Sequence, residues 1–177
     1  MTHQPRAAVS AGPAARPADR PRPRLLLDGF AYGGQEYAAA VWAAMSPSAR
    51  LACRRIMIVE DELIIAWHLG EMVERLGFRV CGSAMSEAEA VSLALESRPD
   101  LILMDVRLGR GGDGVDAARA IHTHFPVPVV FCSAYTDQPE TLARMREAGA
   151  AGILSKPILP KVLGTLLSRI FATPDAR

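Results

Sequence analysis

Short apolar runs alternate with longer amphipathic segments from residue 55 to residue 171. A short run of mostly apolar residues between turn residues is typical of a strand that is buried on both faces of a sheet. The pattern predicts five strands, at residues 55–59, 78–84, 101–105, 127–132 and 152–155.

The segments between these runs show helical spacing. A helix over residues 62–76, ended by Gly77, carries one apolar stripe formed by Ile65, Leu69, Met72 and Leu76. Ser86 and Glu89 form a Ser-x-x-Glu capping box for a helix that runs to Ser97. Three further helices are predicted, near residues 115–124, 139–148 and 159–171.

Five strand–helix units in about 120 residues predict an α/β fold. Right-handed crossovers would build a doubly wound, five-stranded parallel sheet with helices on both faces. The strand order 2-1-3-4-5 is favoured, because it places the first and third strands side by side at the switch point of the sheet. No internal repeat of solenoid length is present.

Composition changes along the 177-residue chain. Residues 1–53 are rich in Pro, Arg and Ala and carry six Arg against three acids, whereas residues 54–177 carry fourteen basic and sixteen acidic residues. We therefore expect a disordered extension at residues 1–53, a folded domain at residues 54–172 and a tail at residues 173–177. The balanced charge of the folded part does not favour nucleic-acid binding.

Residues 25–50 contain Leu, Phe, Tyr and Trp side chains and leave two interpretations open. They are either a poorly ordered extension or an arm with a short helix that binds a partner. A further hypothesis places the start of translation at Met45, where the regular pattern is about to begin. Mass spectrometry of the native amino terminus would decide, and a peptide from residues 25–44 would exclude that start.

The three cysteines, Cys53, Cys81 and Cys132, show no metal-binding spacing. Free cysteines in strand-like runs behave as small buried hydrophobes and fit a reducing, cytoplasmic setting. The sequence shows no membrane span and no signal peptide pattern.

Carboxylates follow two of the predicted strands at their carboxyl ends. The cluster Glu60-Asp61-Glu62 follows the first strand, and Asp105 ends the third. Ligands bind at this edge of open α/β sheets, and a hard divalent cation such as Mg²⁺ would relieve the repulsion between the acids.

Ser133 and Lys156 follow the fourth and fifth predicted strands at the same edge. A carboxylate can attack phosphorus to form an acyl phosphate, a hydroxyl can donate to a phosphoryl oxygen, and a Lys adds positive charge. Each residue alone also fits a helix cap or a turn, but together they predict phosphorylation of Asp105.

Residues from about 55 to 171 resemble a bacterial response-regulator receiver domain of the CheY-like type. The matching motifs are Ile-Val-Glu60-Asp61-Glu62, Leu-Met-Asp105-Val-Arg107, Ser133-Ala134 and Lys156-Pro157. The resemblance implies a flavodoxin-like fold. It also implies a role for each matching residue: Asp105 as phospho-acceptor, Glu60, Asp61, Asp105 and the backbone carbonyl of Arg107 as Mg²⁺ ligands, Ser133 as the switch hydroxyl, and Lys156 as the cation that contacts the phosphoryl group.

The same resemblance implies partners. A sensor histidine kinase or a phosphotransfer protein would donate the phosphoryl group, and the acidic start and glycine-rich loop resemble receivers that partner HWE-family kinases. Because no output module is recognisable in the chain, we expect a stand-alone receiver. Its output would be protein binding through the face around the fourth helix, fifth strand and fifth helix, or use as a phosphate sink. A phosphorylation-dependent dimer is compatible with this, and we expect neither a nucleic-acid nor a membrane partner. The sequence does not identify the kinase or the downstream target.

Two positions depart from the family pattern. Ile153 stands where many receivers carry an aromatic switch residue, and Tyr135 is a candidate replacement. We hypothesise that Arg107 and Tyr135 flank the approach of water to the acyl phosphate and set its lifetime.

Two other function classes stay open. A Mg²⁺-dependent phosphatase can also use an Asp nucleophile at a strand end, but such enzymes commonly carry a second Asp two residues later, where this chain has Arg107. A binding module that is never phosphorylated is disfavoured by the full set of acids. We therefore expect no enzyme activity beyond slow self-dephosphorylation.

Overall fold

The computed structural model describes residues 53–109 and 112–172, so the predictions for residues 1–52 and 173–177 lie outside the described residues. In chain order the elements are β1 (Arg55–Val59), α1 (Leu63–Arg75), β2 (Arg79–Ala84), α2 (Glu87–Ser97), β3 (Leu101–Asp105), β4 (Arg107–Leu108), β5 (Gly112–Asp113), α3 (Gly114–His122), β6 (Val129–Ser133), α4 (Pro139–Glu147), β7 (Ala150–Ser155) and α5 (Pro160–Ala172).

Five strands form one parallel sheet in the order β2-β1-β3-β6-β7. Counted over these five strands, this is the predicted flavodoxin-like order 2-1-3-4-5, which is confirmed. β1 pairs directly with β3, with Val59 opposite Met104. The residues that follow these two strands are therefore neighbours at the carboxyl edge of the sheet.

Helices cover both faces of the sheet, as predicted. Successive side chains of a strand point to opposite faces. In β1, Ile56 and Ile58 pack in the core with residues of α1 and α5, whereas Met57 and Val59 pack with residues of α2, α3 and α4. The continuous apolar runs in the sequence reflect this burial on both sides.

Two local signals in the sequence have clear structural counterparts. Gly77, at a φ of 89°, ends α1. The amide of Phe78 donates to Val73 O, and that of Gly77 donates to Glu74 O, which is the hydrogen-bond pattern of a Schellman motif. Ser86 Oγ accepts from the Glu89 amide as predicted. The reciprocal half of the capping box differs, because Glu89 Oε2 accepts from the amide of Met85 rather than from that of Ser86.

The segment after Asp105 contains an element that the sequence pattern did not reveal. β4 and β5 form a short antiparallel hairpin, in which Arg107 faces Asp113 and Leu108 faces Gly112. Each strand has only two residues, so no periodicity can indicate it. The hairpin returns the chain to Asp105: the Gly114 amide donates to Val106 O at 2.9 Å.

Several boundaries were predicted slightly wrongly. β6 begins at Val129 rather than at residue 127, because Pro128 cannot donate to the ladder. β7 begins earlier than predicted, at Ala150, and α3 ends at His122 rather than at residue 124. In the described part of the chain, no helix has the length and apolarity that crossing a membrane would need.

Candidate functional site

Four polar residues of the predicted site meet at the carboxyl edge of the sheet. Glu60 follows β1, Asp105 ends β3, Ser133 ends β6 and Lys156 follows β7. Among the described residues, the buried polar or charged side chains are those of Glu60, Asp105 and Ser133. Burial of polar side chains is costly unless they are paired, so their clustering at one edge marks a functional site.

Lys156 joins the two central acids. Its Nζ lies 2.7 Å from Glu60 Oε2 and 2.9 Å from Asp105 Oδ2. The backbone amide of Lys156 donates to Ser133 O, which places Lys156 beside the end of β6. Burial lowers the pKa of Lys156, but the hydrogen bonds to Glu60 and Asp105 outweigh it and raise the pKa above its ordinary value. The ammonium group therefore stays charged.

The Glu60 side chain is fully buried, and within the described residues only one of its two carboxylate oxygens is hydrogen-bonded. Oε1 of Glu60 has no hydrogen-bond partner among the described residues, whereas Oε2 accepts from Lys156. Burial raises the pKa of Glu60, the hydrogen bond from Lys156 opposes this, and the nearby Asp105 raises it further. An orphaned carboxylate oxygen at a charged site is well suited to coordinate a cation.

Glu60, Asp61 and Asp105 form an acidic cluster that can hold a metal ion. Each offers one carboxylate oxygen, and these oxygens all lie within 4.8 Å of one another. The cluster and Lys156 together carry three carboxylates and one ammonium group, which leaves two negative charges when all are ionised. A hard divalent cation such as Mg²⁺ fits both this charge and the all-oxygen donor set.

Arg107 lies beside this cluster, at the start of β4. Its amide donates weakly to Asp105 Oδ1, at 3.4 Å. Its guanidinium carbon lies 3.7 Å from the centroid of the Tyr135 ring. The two residues that the sequence suggested as flanking the site are thus in direct contact. The role of the Arg107 carbonyl as a metal ligand stays a prediction.

Ser133 lies at the end of β6, next to the acids. Cys132 pairs with Asp105 in the sheet register, so Ser133 is one residue beyond that pair. Ser133 Oγ accepts from the Tyr135 amide at 3.0 Å, and its own proton stays available for another acceptor. Ile153 lies on β7 opposite Phe131 and packs, half-buried, against the core.

A contact between the end of the β4–β5 hairpin and α4 was not predicted from the sequence. Asp113 Oδ1 accepts from the amides of Val115 and Asp116 and so caps α3, while Asp113 Oδ2 lies 2.9 Å from Arg144 Nη2 on α4. An Asp just before a helical segment is a recognisable cap signal. The pairing with Arg144 leaves no such signal, because 31 residues separate the two.

The arrangement can perform one kind of chemistry directly. Asp105 offers a nucleophilic carboxylate whose side chain is 11% exposed. Lys156 supplies positive charge and Ser133 a hydroxyl donor beside it. The acidic cluster offers a cation site next to the same carboxylate. These are the groups that stabilise a phosphoryl group in transfer to a carboxylate.

Comparison with known proteins identifies the family. Residues 56–168 match the model of the response regulator receiver domain. The chain is 40% identical over 124 residues to the phyllosphere-induced regulator PhyR of Methylorubrum extorquens, a match that covers 69% of this chain and 45% of that protein. It is 41% identical over 104 residues to the transcriptional regulatory protein PdtaR of Mycobacterium tuberculosis, covering 59% of this chain and 50% of that protein. The chain thus spans about half the length of these curated relatives.

A solved structure agrees with this assignment. The receiver domain of the PhyR response regulator of Erythrobacter litoralis, determined by NMR in solution, superposes with a TM-score of 0.62 at 29% identity. The match covers 70% of this chain and 94% of that domain.

Proposed function

The chain belongs to the response regulator receiver domain family of two-component signalling, and on that premise we propose that it relays a signal by accepting a phosphoryl group on Asp105. The observation that carries this proposal is the position of Asp105. Its carboxylate lies at the strand end, 2.9 Å from Lys156 Nζ and within the acidic cluster.

The transfer exchanges one phosphorus bond for another. A carboxylate oxygen of Asp105 attacks the phosphorus of a phosphohistidine, a P–O bond forms, the P–N bond breaks and the imidazole leaves. Lys156 neutralises charge on one phosphoryl oxygen, and the Ser133 hydroxyl donates to another. Both groups are held by the ends of adjacent strands, so little reorganisation is needed.

Mg²⁺ belongs to the proposed site. Glu60, Asp61, Asp105 and the backbone carbonyl of Arg107 would hold it. When bound, it supplies positive charge to the oxygens of the phosphoryl group. Lys156 balances one of the three acids, and the unpaired Oε1 of Glu60 supports a cation beside it.

Exposed apolar side chains on the elements that follow β1, β2 and β7 support a protein as the phosphodonor. Six large apolar side chains are exposed among the described residues: Leu63, Ile64 and Trp67 on α1, Met85 after β2, Leu159 before α5 and Val162 on α5. Exposed apolar surface of this kind favours docking of a protein that carries the phosphohistidine. We propose a sensor histidine kinase or a phosphotransfer protein as this donor, and an HWE-family kinase in particular.

We propose that the output is binding of a downstream protein through the face around α4, β7 and α5. The alternative output is use of the protein as a phosphate sink. We also propose that the exchange takes place in the cytoplasm. The free cysteines Cys53, Cys81 and Cys132 support a reducing compartment.

The test is labelling of the full chain by acetyl phosphate with Mg²⁺, followed by intact-mass measurement and mapping of the site. We expect a gain of one phosphoryl group in the wild type, none in Asp105→Asn, and normal labelling in Asp116→Asn, a matched change of an exposed aspartate on α3. Labelling of Asp105→Asn on another aspartate would contradict the assignment. Repeated turnover of a small phosphate ester by the wild type would instead favour a phosphatase.

A further inference from the structure

Gly109 lies against the side chain of Asp61, which is one of the three acids of the cluster. A Cβ added to Gly109 would lie 2.9 Å from Asp61 Oδ2 and 3.6 Å from both Cβ and Cγ of Asp61. The three nearest atoms thus all belong to this one side chain. Glycine at position 109 therefore leaves room for the Asp61 carboxylate.

The backbone conformation of Gly109 does not itself require glycine. Its φ lies outside the left-handed region, in which the structure places Gly77 and Gly149. A residue with a side chain can therefore adopt the φ of Gly109. The close approach to Asp61 is the feature of this position that favours glycine.

The two sides of this contact are held with different firmness. The residue before Gly109, Leu108, is buried in the same core cluster as Val106 and Val115. The Asp61 carboxylate, by contrast, makes no hydrogen bond or ion pair within residues 53–109 and 112–172. If a side chain stood at position 109, the carboxylate would move more easily than the backbone.

Gly114 shows the opposite case. A Cβ at Gly114 would meet the backbone oxygen of Asp105, so the fold itself resists a side chain there. At Gly109 the closest atom is the end of a rotatable side chain. Ordinary van der Waals contact begins at 3.4 Å, so a methyl group at position 109 would displace Asp61 Oδ2 by about 0.5 Å and leave the fold intact.

Two cations should respond differently to such a displacement. Mg²⁺ demands near-ideal octahedral geometry with ligands at about 2.0–2.1 Å, whereas Ca²⁺ accepts oxygens at about 2.3–2.6 Å in a flexible arrangement. A shift of one carboxylate in the cluster should therefore weaken the binding of Mg²⁺ more than that of Ca²⁺. The unpaired, buried Oε1 of Glu60 supports a cation at this cluster independently of Asp61.

We propose that Gly109 is a positioning residue that makes the acidic cluster selective for Mg²⁺. Because it has no side chain, the Asp61 carboxylate keeps the position that an octahedral site needs. The inference rests on the metal site of the proposed function and adds to it a residue that is not itself a ligand.

The test compares Gly109→Ala with the wild type by calorimetric titration of the full chain with MgCl₂ and, separately, with CaCl₂ at equal ionic strength. We expect the Mg²⁺ affinity to fall about tenfold and the Ca²⁺ affinity by about threefold or less. The midpoint of urea unfolding in EDTA should not change. As the matched control, Gly70→Ala adds a methyl group inside α1, against Ile58 and Val80, and should bind both cations like the wild type.

A double variant shows whether the effect passes through Asp61. In Asp61→Asn the charged carboxylate is already lost. Adding Gly109→Ala to Asp61→Asn should therefore weaken Mg²⁺ binding by no more than about twofold, because residues that act through one another are not additive. A further tenfold loss in the double variant would show that Gly109 acts elsewhere, and would overturn the proposal.

Three other results would also overturn it. The first is an unchanged Mg²⁺ affinity in Gly109→Ala. The second is an equal loss of affinity for both cations, and the third is a lower urea midpoint in EDTA, since either would mean that the methyl group disturbs the loop rather than the geometry of one ligand. If the wild type binds no Mg²⁺, the metal site of the proposed function fails and this inference fails with it.

Discussion

Lys156 Nζ lies 2.7 Å from Glu60 Oε2, although 96 residues separate the two along the chain. Glu60 follows β1 and Lys156 follows β7, so the pair connects the strands of the parallel sheet that come first and last along the chain. Glu60 is fully buried, and Lys156 is 18% exposed in its side chain. Removal of one partner of such a pair leaves an uncompensated buried charge.

Lys156→Met should therefore destabilise the metal-free protein. We expect a loss of about 3 kcal/mol in the free energy of unfolding, because the Glu60 carboxylate loses its partner. Urea unfolding in the presence of EDTA measures it. Lys161→Met, at an exposed position of α5, should change stability by no more than about 0.5 kcal/mol. Equal losses in both variants would contradict this role of Lys156.

The acidic cluster should bind Mg²⁺ with a dependence on Asp61. Loss of a residue that only hydrogen-bonds to a metal ligand commonly weakens metal binding by about 10- to 100-fold. Asp61→Asn removes a proposed direct ligand, so the Mg²⁺ affinity should fall by at least this factor. Calorimetric titration of the full chain with Mg²⁺ measures the affinity. Asp116→Asn should bind as tightly as the wild type, and an unaltered affinity in Asp61→Asn would exclude Asp61 as a ligand.

The stacked side chains of Arg107 and Tyr135 should lengthen the life of the acyl phosphate. Arg107→Ala and Tyr135→Ala remove the contact and open the approach of water, so decay should be faster by about two- to fivefold, as for an exposed cation–π contact. Radiolabelled or mass-resolved decay after removal of the donor gives the rate. Tyr135→Phe retains the ring and should decay like the wild type. Unchanged lifetimes in both alanine variants would remove the hypothesis.

Gly114 should not tolerate a side chain. A Cβ at this position would lie 1.8 Å from the backbone carbonyl oxygen of Asp105, which cannot move aside without shifting β3. We expect Gly114→Ala to lower stability by about 3 kcal/mol or more. Gly70 lies in the interior of α1, and a Cβ added there would be 3.8 Å from the nearest atom, Ile58 Cδ1. Gly70→Ala should therefore raise the free energy of unfolding by up to about 1 kcal/mol. Thermal unfolding of both variants compares them, and a stable Gly114→Ala would be inconsistent with the close approach.

Cys132 should be inert in the folded protein. Burial raises the pKa of the Cys132 thiol to about 12, so only about one molecule in ten thousand is a thiolate at about pH 8. Iodoacetamide should modify the exposed Cys53 and leave Cys132 intact until urea is added. The peptide map would show this directly. Modification of native Cys132 at the rate of Cys53 would argue against a structural thiol.

The sequence by itself determined the number, type and order of the main strands and helices. Each depends on local periodicity and on residues such as Gly77 that end an element, and both signals act over a few positions. It also indicated the pocket residues, because Asp105 and Lys156 stand where strands end, and the carboxyl ends of parallel strands share one edge.

Only the tertiary structure decided how these residues meet. That Lys156 binds Glu60, and that Arg144 binds Asp113, depends on which strands and helices become neighbours after the chain folds. The hairpin of β4 and β5 is too short to leave a periodic pattern, and it is this hairpin that carries Arg107 beside Tyr135. Periodicity reports which face of an element is buried, whereas pairing of polar side chains far apart in the chain is set by packing of the whole domain.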